Sequence, residues 1–251
     1  MLKVVDRTLE ILEYICSSNK KEFTLAELSE AFNLNKTVMY RSLRVLTERG
    51  YLRQLNNRGS YSIGLKLMEL GSQANKKLDI LQEVVPYMKK MSEEFKETIS
   101  LGILKDKEVV YIYKIDSPHF LKTDLQVGAS VPSYCTALGK SILAWLSKGQ
   151  LENILGGENK EGENHFASYT KNTITTYDQI IEELRRVKEQ GYAVDNEEYI
   201  TGITCIAVPI FSQDGFPTCA ISVSGPSTRI RGQEMEDIIE YLKAISPILT
   251  I

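Results

Sequence analysis

Residues 24–50 have the sequence TLAELSEAFNLNKTVMYRSLRVLTERG, and this stretch decides the fold of the N-terminal part of the chain. Thr24 and Glu27 have the spacing of a capping box, in which a hydroxyl and a carboxylate satisfy backbone N–H groups at a helix start. After a short turn, Asn35 is placed to cap another helix, and Gly50 suits the left-handed residue that follows a helix end. The stretch therefore predicts two helices joined by a turn.

The second of these helices has one packed and one polar face. At about 100° per residue, six small or apolar side chains fall within one arc of about 160°, which predicts a buried face. Polar and basic side chains fill the rest of the circumference, so we expect them to be exposed. The predicted buried face comprises Val38, Met39, Ser42, Leu43, Val45 and Leu46, and the exposed face comprises Lys36, Thr37, Tyr40, Arg41, Arg44, Thr47 and Glu48.

An earlier helix precedes this pair. Its apolar residues recur at helical spacing from Val4 to about residue 18, and charged residues occupy the other side. The side expected to pack carries Leu9, Leu12, Ile15 and Cys16.

A short hairpin and a connecting segment follow the pair. Residues 51–55 and 60–63 predict two strands around a turn that contains Asn and Gly. A helix pair followed by a basic hairpin is typical of a winged helix-turn-helix, whose second helix enters the major groove of DNA. Residues 65–75 have helical spacing again and predict a connector, and a further helix over 78–95 is expected to kink or start at Pro86.

The net charge of the 251-residue chain is −3, but the charges are unevenly distributed. Residues 1–75 contain 11 Lys and Arg against 8 Asp and Glu, whereas residues 76–251 contain 19 against 25. Residues 33–66 alone contain seven basic side chains and a single acidic one, Glu48. A local positive excess of this kind indicates a phosphate-binding surface on an otherwise acidic protein. The length predicts two domains.

The composition disfavours several functional classes. Charges interrupt the apolar residues of the N-terminal segment, so we expect no signal peptide, no membrane partner and a cytoplasmic location. The cysteines form no CxxC pair and histidines are scarce, which predicts no metal, no cofactor and mostly buried, reduced thiols. An enzyme with a cysteine nucleophile would need a histidine base, and the spacing supports none. The residues concerned are Cys16, Cys135, Cys205, Cys219, His119 and His165.

Beyond residue 97, strands and helices are interleaved. Two apolar runs flank the turn at 105–108 and predict a hairpin. The pattern indicates an α+β fold with an antiparallel sheet, as in small-molecule sensor domains. Expected strands cover 99–104, 109–115, 203–211 and 218–224, and expected helices cover 135–146, 178–190 and 234–249.

Five blocks of sequence, in order along nearly the whole chain, resemble the IclR-type transcriptional regulators. They are VVDRTLEILEYI, TLAELSEAFNLNKTVMYRSLRVLTERGYL, YSIGLKLMELG, VGASVPSYCTALGKSILAWL and GYAVDNEEYITGITCIAVPIFSQDGFPTCAISVSGP. The resemblance implies a winged helix-turn-helix DNA-binding domain over 1–64 and a linker helix over 65–78. It also implies a GAF-like domain over 79–251 that binds a small effector and forms dimers or tetramers. Many relatives have Ser where this chain has Lys36, which affects the expected operator sequence rather than DNA binding.

The exposed face of the third helix provides the predicted DNA contacts. Residues near the start of a recognition helix contact base edges, whereas cations further away contact phosphates or the minor groove. The base-edge candidates are Lys36, Thr37, Tyr40 and Arg41, and the other candidates are Arg44, Arg53 and Arg58.

The second predicted site lies in the C-terminal part. Gly139-Lys140-Ser141 suggests a phosphate loop, but such a loop needs Gly at position 134, where this chain has Tyr. The segment predicts a helix start, which is either structural or able to bind a carboxylate through free N–H groups. The resemblance implies the second role and brings residues from two other blocks to the same pocket. The implied effector residues are Ala137, Leu138, Asp195, Cys205, Ser222 and Ser224.

Together these features predict a DNA-binding repressor rather than an enzyme. Its operator affinity is expected to respond to a small sugar acid, 2-oxo acid or aromatic acid, and its partners to be double-stranded operator DNA and further copies of itself. The alternative is a GAF-like sensor that acts through protein partners.

Overall fold

The computed structural model describes residues 3–55, 59–156 and 166–249. The chain divides into two compact units, Met1–Asp79 and Ile80–Ile251. Each unit has a hydrophobic core of its own.

The N-terminal unit contains the predicted winged helix-turn-helix. Its elements are α1 (Lys3–Ser17), β1 (Phe23–Thr24), α2 (Leu25–Ala31), α3 (Lys36–Glu48), β2 (Leu52–Leu55), β3 (Ser60–Ile63) and α4 (Lys66–Lys77). The strands form an antiparallel sheet with the order β1-β3-β2. The predicted capping box is confirmed, because the N–H of Glu27 donates to Thr24 Oγ1 at 3.3 Å and the N–H of Thr24 donates to Glu27 Oε2 at 2.8 Å.

The packed faces of α1 and α3 are narrower than predicted. Leu9 and Cys16 of α1 and Val45 of α3 are exposed, so these three assignments to the buried faces were wrong. Ile11 takes a buried position on α1 instead. Leu9 and Val45 line an open groove of about 730 Å³ between α1 and α3 instead of packing in the core.

The C-terminal unit is an α+β domain around one large antiparallel sheet, which confirms the predicted fold class. Its elements are α5 (Asp79–Phe95), β4 (Thr98–Lys105), β5 (Glu108–Ile115), β6 (Ser130–Pro132), α6 (Ala137–Leu143), α7 (Lys148–Leu155), α8 (Tyr177–Gln190), β7 (Ala193–Asn196), β8 (Ile203–Phe211), β9 (Pro217–Pro226) and α9 (Gly232–Ile245). The strand order is β6-β5-β4-β9-β8-β7. Sequence patterns missed the short strands β6 and β7, and Pro86 lies inside α5 rather than at its start.

The two faces of this sheet differ in chemistry because side chains alternate along a strand. On one face, aliphatic side chains from β4, β8 and β9 pack with α5 and α9. On the other face, small and polar side chains from the same strands leave space beside α6. The aliphatic set includes Ile99, Leu101, Ile206, Val208, Ile221 and Val223, and the small set includes Thr98, Ser100, Cys205, Ala207, Ser222 and Ser224.

The cysteines are only partly as predicted. All four are free; Cys135 and Cys219 are buried, but Cys205 is half-buried and Cys16 is exposed. Across residues 3–55, 59–156 and 166–249, no group of three or more potential metal ligands is found. Over the same ranges, no helix has the length and apolar character needed to cross a membrane.

Candidate functional site

The exposed face of α3 is a basic surface at a helix start. Asn35 Oδ1 accepts from the N–H of Val38 at 2.9 Å, which fixes the first turn. Met39, Leu43 and Leu46 anchor the opposite face in the core. Five of the predicted DNA-binding residues are therefore exposed together on this helix: Lys36, Thr37, Tyr40, Arg41 and Arg44.

The remaining predicted DNA contacts differ in their surroundings. Arg44 Nε lies 3.2 Å from Glu48 Oε1, but both side chains are more than 60% exposed, so the pair holds the arginine weakly. Arg53 is exposed on β2, and its Nε donates to Ser62 Oγ at 2.8 Å, which orients the guanidinium along the sheet. Arg58 lies outside the described residues.

A partly enclosed cavity lies in the C-terminal unit, between the small-residue face of the sheet, α6 and the segment that follows β5. Its central volume is about 20 Å³, enough for about one water molecule. All six predicted effector residues line it. The lining comprises Ser100, Tyr111, Thr123, Leu125, Thr136, Ala137, Leu138, Asp195, Tyr199, Ile200, Ile203, Cys205, Ser222 and Ser224.

Strand register explains why residues far apart in sequence meet here. Asp195 on β7 pairs with Cys205 on β8, which pairs with Ser224 on β9. Ser222 pairs with Ser100 on β4. Directly opposed residues share a face of the sheet. Asp195, Cys205 and Ser224 therefore form a polar row across β7, β8 and β9, and Ser222 and Ser100 form a second polar pair beside it.

The start of α6 borders the same cavity. Thr136 Oγ1 accepts from the N–H of Gly139 at 3.3 Å and donates to the carbonyl of Pro132 at 3.0 Å. The N–H of Lys140 donates to the carbonyl of Thr136 at 2.9 Å. Ala137 and Leu138 lie between the cap and these bonds, and they line the cavity together with Thr136.

Asp195 has a buried carboxyl group, and one of its two oxygens accepts hydrogen bonds from the backbone. Its Oδ1 accepts from the N–H of Glu198 at 2.7 Å and from the N–H of Tyr199 at 3.4 Å. Burial raises the pKa of Asp195 to about 7, against the opposing effect of the N–H bonds. A perturbed carboxyl in a cavity is a common mark of a functional site.

Beside Asp195 lies a buried ion cluster around Lys140. Its Nζ donates to Glu198 Oε1 and to the carbonyl of Val194, each at 2.5 Å, and to Glu183 Oε1 at 3.2 Å. Lys140 is 1% exposed, and Glu198 Oε2 has no hydrogen-bond partner within the described residues. Lys140 therefore ties α6 to α8 and β7, and its ammonium is engaged in the protein interior.

Several lining residues were missed by sequence reasoning. Ser100 and Tyr111 lie on β4 and β5 and face the cavity, and Thr123 comes from the segment between β5 and β6. Ser100 could have been found from the alternation of ISLGIL, where Ser and Gly interrupt an aliphatic strand. Nothing in the local sequence marks Tyr111 or Thr123, because sheet order brings Tyr111 here and the path of the segment between β5 and β6 brings Thr123.

The buried thiols do not suit nucleophilic catalysis. Burial raises the pKa of Cys135 to about 12 and also raises the pKa of Cys205. A thiol of this kind carries almost no thiolate at neutral pH. His119 is exposed, and His165 lies outside the described residues.

Comparison with known proteins identifies the family. Residues 4–56 match the IclR helix-turn-helix domain, and residues 72–249 match the C-terminal region of bacterial IclR transcriptional regulators. The chain belongs to the IclR family. The predicted resemblance is thereby confirmed.

Individual relatives support the same assignment. The chain is 35% identical over 223 residues to the HTH-type transcriptional regulator KdgR of Escherichia coli, covering 89% of this chain and 82% of KdgR. It is 30% identical over 226 residues to the Escherichia coli transcriptional repressor IclR, covering 89% and 80%. An IclR homolog from Microbacterium hydrocarbonoxydans, solved in complex with 4-hydroxybenzoate, shares the fold with a TM-score of 0.81 at 21% identity, covering 98% of both chains.

This IclR-family chain is a DNA-binding transcriptional regulator with a C-terminal effector-binding domain. Its relatives are regulators and not enzymes, which confirms the predicted functional class.

Proposed function

We propose that this regulator is a cytoplasmic homo-oligomeric repressor whose operator affinity is controlled by a small carboxylate. Residues 1–64 bind the operator, residues 65–78 form the linker, and residues 79–251 bind the effector. The genes it controls encode uptake or breakdown of a small organic acid. The observation that carries the proposal is the convergence of all six implied effector residues on one partly enclosed cavity, in a chain that also exposes a basic recognition helix.

On the DNA side, the start of α3 enters the major groove. Lys36, Thr37, Tyr40 and Arg41 then meet base edges, because their exposed side chains lie within the first two turns. Arg44 and Arg53 lie further along the surface and contact phosphates, and Arg58, which is outside the described residues, is proposed to do the same. Phosphate contacts position the domain, and base contacts select the sequence.

The DNA proposal is tested by gel shift with the intergenic DNA upstream of the gene for this chain. Arg41→Ala and Lys36→Ala should each weaken specific binding by about 1–3 kcal/mol, the usual loss for one base contact. Lys89→Ala, which removes an exposed lysine from α5, is the matched control and should bind normally. Unchanged binding by the Arg41→Ala, Lys36→Ala double variant would show that α3 is not the recognition helix. Failure of the wild type to bind would favour a sensor that acts through protein partners.

On the effector side, the carboxylate is held by the N–H groups of Ala137 and Leu138 and by the hydroxyls of Ser222 and Ser224. A helix start supplies unpaired donors, and the short side chains on β9 offer little steric obstruction. Because the cavity has space for about one water molecule, the lining must move apart to admit the acid. Asp195 lies opposite and hydrogen-bonds ligand hydroxyls rather than the anion. Cys205 forms part of the wall.

The effector proposal is tested by calorimetric titration of the full chain with D-gluconate, pyruvate and 4-hydroxybenzoate. These probes represent the three acid classes. Ser222→Ala combined with Ser224→Ala should weaken the bound acid at least tenfold, because two charge-assisted hydrogen bonds are lost. Ser130→Ala removes an exposed serine and serves as the control. Equal affinity in the double variant would place the anion elsewhere.

The oligomer proposal rests on α4 and on the residue that precedes it. Leu65 and Met68, three residues apart, are 74% and 72% exposed, which leaves a short apolar stripe without a partner in its own unit. A second copy covers such a stripe in a two-fold dimer, and two recognition helices then meet a roughly palindromic operator. Sedimentation should show at least twice the 28.4 kDa chain mass. A species of 28.4 kDa alone, with and without DNA, would contradict this.

A further inference from the structure

Asp195 is the sole charged side chain among the described residues that line the cavity. The other lining groups are hydroxyls, a thiol, aromatic rings and aliphatic side chains. Asp195 itself is 4% exposed. Both hydrogen bonds that the structure gives its carboxyl go to Oδ1, so Oδ2 is the oxygen left for a ligand or a proton.

The two buried lysines closest to the lining have no donor to spare. The three N–H groups of the Lys140 ammonium are matched by three acceptors, on Glu198, Val194 and Glu183. Lys114 Nζ likewise has three acceptors: the carbonyls of Thr123 at 3.1 Å and Leu125 at 2.7 Å, and Asp116 Oδ1 at 2.8 Å. An ammonium has three donors, so neither lysine can turn to a new anion without giving up a bond.

The remaining titratable groups around Asp195 cannot neutralise it either. Burial raises the pKa of Cys205 and Tyr111, and it raises the pKa of Cys135 to about 12, so these groups stay uncharged between pH 6 and 9. Three groups around Asp195 come from strands or from the turn before α6: Cys205 of β8, Tyr111 of β5 and Cys135. The others are Lys140 of α6 and, from the turn after β7, Glu198 and Tyr199. Glu183 of α8 lies behind Lys140.

We propose that an effector carboxylate enters this cavity together with one proton from solvent, which binds Asp195 and makes effector binding proton-coupled. The inference rests on the carboxylate site of the proposed function. An O–H bond forms on Asp195, no bond of the ligand breaks, and the proton returns to solvent when the effector leaves. The neutral carboxyl also gains a donor toward the ligand, while its oxygens still accept hydrogen bonds.

The physical reason is that two anions held close together in a largely buried cavity repel each other, which favours the protonated form of Asp195 unless a cation compensates the charge. The pKa of Asp195 in the free protein, about 7, means that the proton is already partly present at neutral pH. A bound anion raises this pKa further. Linkage then requires the affinity for the acid to fall about tenfold per pH unit between that value and the raised pKa of the complex.

The first experiment counts protons on the unmodified full chain. The heat of binding of D-gluconate, pyruvate and 4-hydroxybenzoate is measured at pH 8 in HEPES and in Tris, whose ionisation enthalpies differ. We expect uptake of close to one proton for the acid that binds, and a Kd that rises about tenfold from pH 8 to pH 9.

The second experiment assigns the proton to Asp195. Asp195→Asn keeps an oxygen for the N–H groups of Glu198 and Tyr199, and its amide imitates the neutral carboxyl. We expect a Kd that is independent of pH, at least tenfold tighter than wild type at pH 9, and no proton uptake. Asp214→Asn, the same change at an exposed position, should keep the wild-type pH profile.

The outcomes separate the two proposals. An acid that binds without proton uptake and with a flat pH profile overturns the coupling but leaves the carboxylate site intact. Proton uptake that survives Asp195→Asn overturns the assignment to this residue, and so does a loss of affinity in that variant at both pH 6 and pH 9. If none of the three acids binds at any pH, the carboxylate site itself is wrong, and the coupling fails with it.

Discussion

Asp195 has a stability consequence that does not depend on any ligand. Burial raises its pKa from 3.8 to about 7, so the folded chain binds this proton more tightly than the unfolded chain does. The stabilisation that follows is fully present below about pH 4 and is lost as the pH rises through about 7. This pH dependence of stability is opposite to that of a salt-bridged carboxylate, which stabilises the fold at high pH and loses that effect as the pH falls.

We therefore predict that the Asp195→Asn variant becomes more stable relative to wild type as the pH rises. Relative to wild type, the free energy of unfolding of the variant should gain about 2–3 kcal/mol between pH 5 and pH 8, at about 1.4 kcal/mol per pH unit up to pH 7. Urea unfolding at the two pH values measures this difference. The control Asp214→Asn should differ from wild type in unfolding free energy by the same amount at pH 5 and at pH 8. If the difference between Asp195→Asn and wild type is also the same at the two pH values, the pKa of Asp195 is not raised.

Single residues also show where sequence reasoning stops. The alternation of polar residues on one strand predicted that Ser222 and Ser224 share a face, and the structure has them there. Lys140 could not be interpreted in the same way. Its neighbours suggested a phosphate loop, but its partners Glu183 and Glu198 come from 43 and 58 residues away and are set by tertiary packing.

At the scale of elements, long periodic segments were predictable and short ones were not. The helices of the N-terminal unit, β8 and β9 carry clear patterns within their own sequences. β6 and β7 have three and four residues and exist because β5 and β8 offer free edges. Asp195 lies on β7, so the geometry of the proposed effector cavity depends on an element that local sequence does not reveal.

The close approach of α6 to the segment before it gives an element-scale prediction. A Cβ atom at Gly139 would overlap backbone atoms of Ser133, which cannot move without shifting the start of α6. Gly139→Ala should destabilise the chain by about 1–3 kcal/mol, as overpacking does, and should weaken binding of the acid. Gly149→Ala on α7 is the matched control, because nothing lies within 4 Å of its Cβ and Ala is favoured in a helix. Equal unfolding midpoints in urea for the two variants would contradict the proposed contact.

The segment between β5 and β6 covers the cavity and depends on Lys114. The side chain of Lys114 is 6% exposed and holds the carbonyls of Thr123 and Leu125, which belong to the lining. Lys114→Met leaves these acceptors unpaired, so we predict a loss of about 1–3 kcal/mol in unfolding free energy and faster chymotrypsin cleavage after the exposed Phe120.

Lys122 provides the comparison for this prediction. It pairs with the same carboxylate, Asp116, at 3.3 Å, but its side chain is 38% exposed. Lys122→Met should therefore change the unfolding free energy by less than about 1 kcal/mol. If both lysine variants are cleaved at the same rate, Lys114 does not hold the segment closed.

At the scale of the whole molecule, the order of the motifs along the chain was more informative than any one of them. A helix-turn-helix pattern alone indicates DNA binding, and a polar strand face alone indicates little. Their succession in one chain predicted a regulator with separate DNA and effector units, and the family match confirmed it. The size of the cavity was not predictable, because its lining includes Leu125 and Ile200, which come from loop segments that tertiary packing positions.

The two proposed sites lie in different units of the chain, so regulation requires a coupling free energy between them. We predict that the bound acid lowers operator affinity by about 1–3 kcal/mol, a factor of about 5–150, because the effector favours a conformation in which two recognition helices no longer match the operator. Coupling of this kind is reciprocal, so saturating operator DNA must weaken binding of the acid by the same factor. Both affinities are measured on the full chain, each with and without the other ligand. The Ser222→Ala, Ser224→Ala variant should bind the operator normally but lose the response to acid. Two equal operator affinities, with the acid bound and absent, would mean that the cavity does not control the DNA-binding unit.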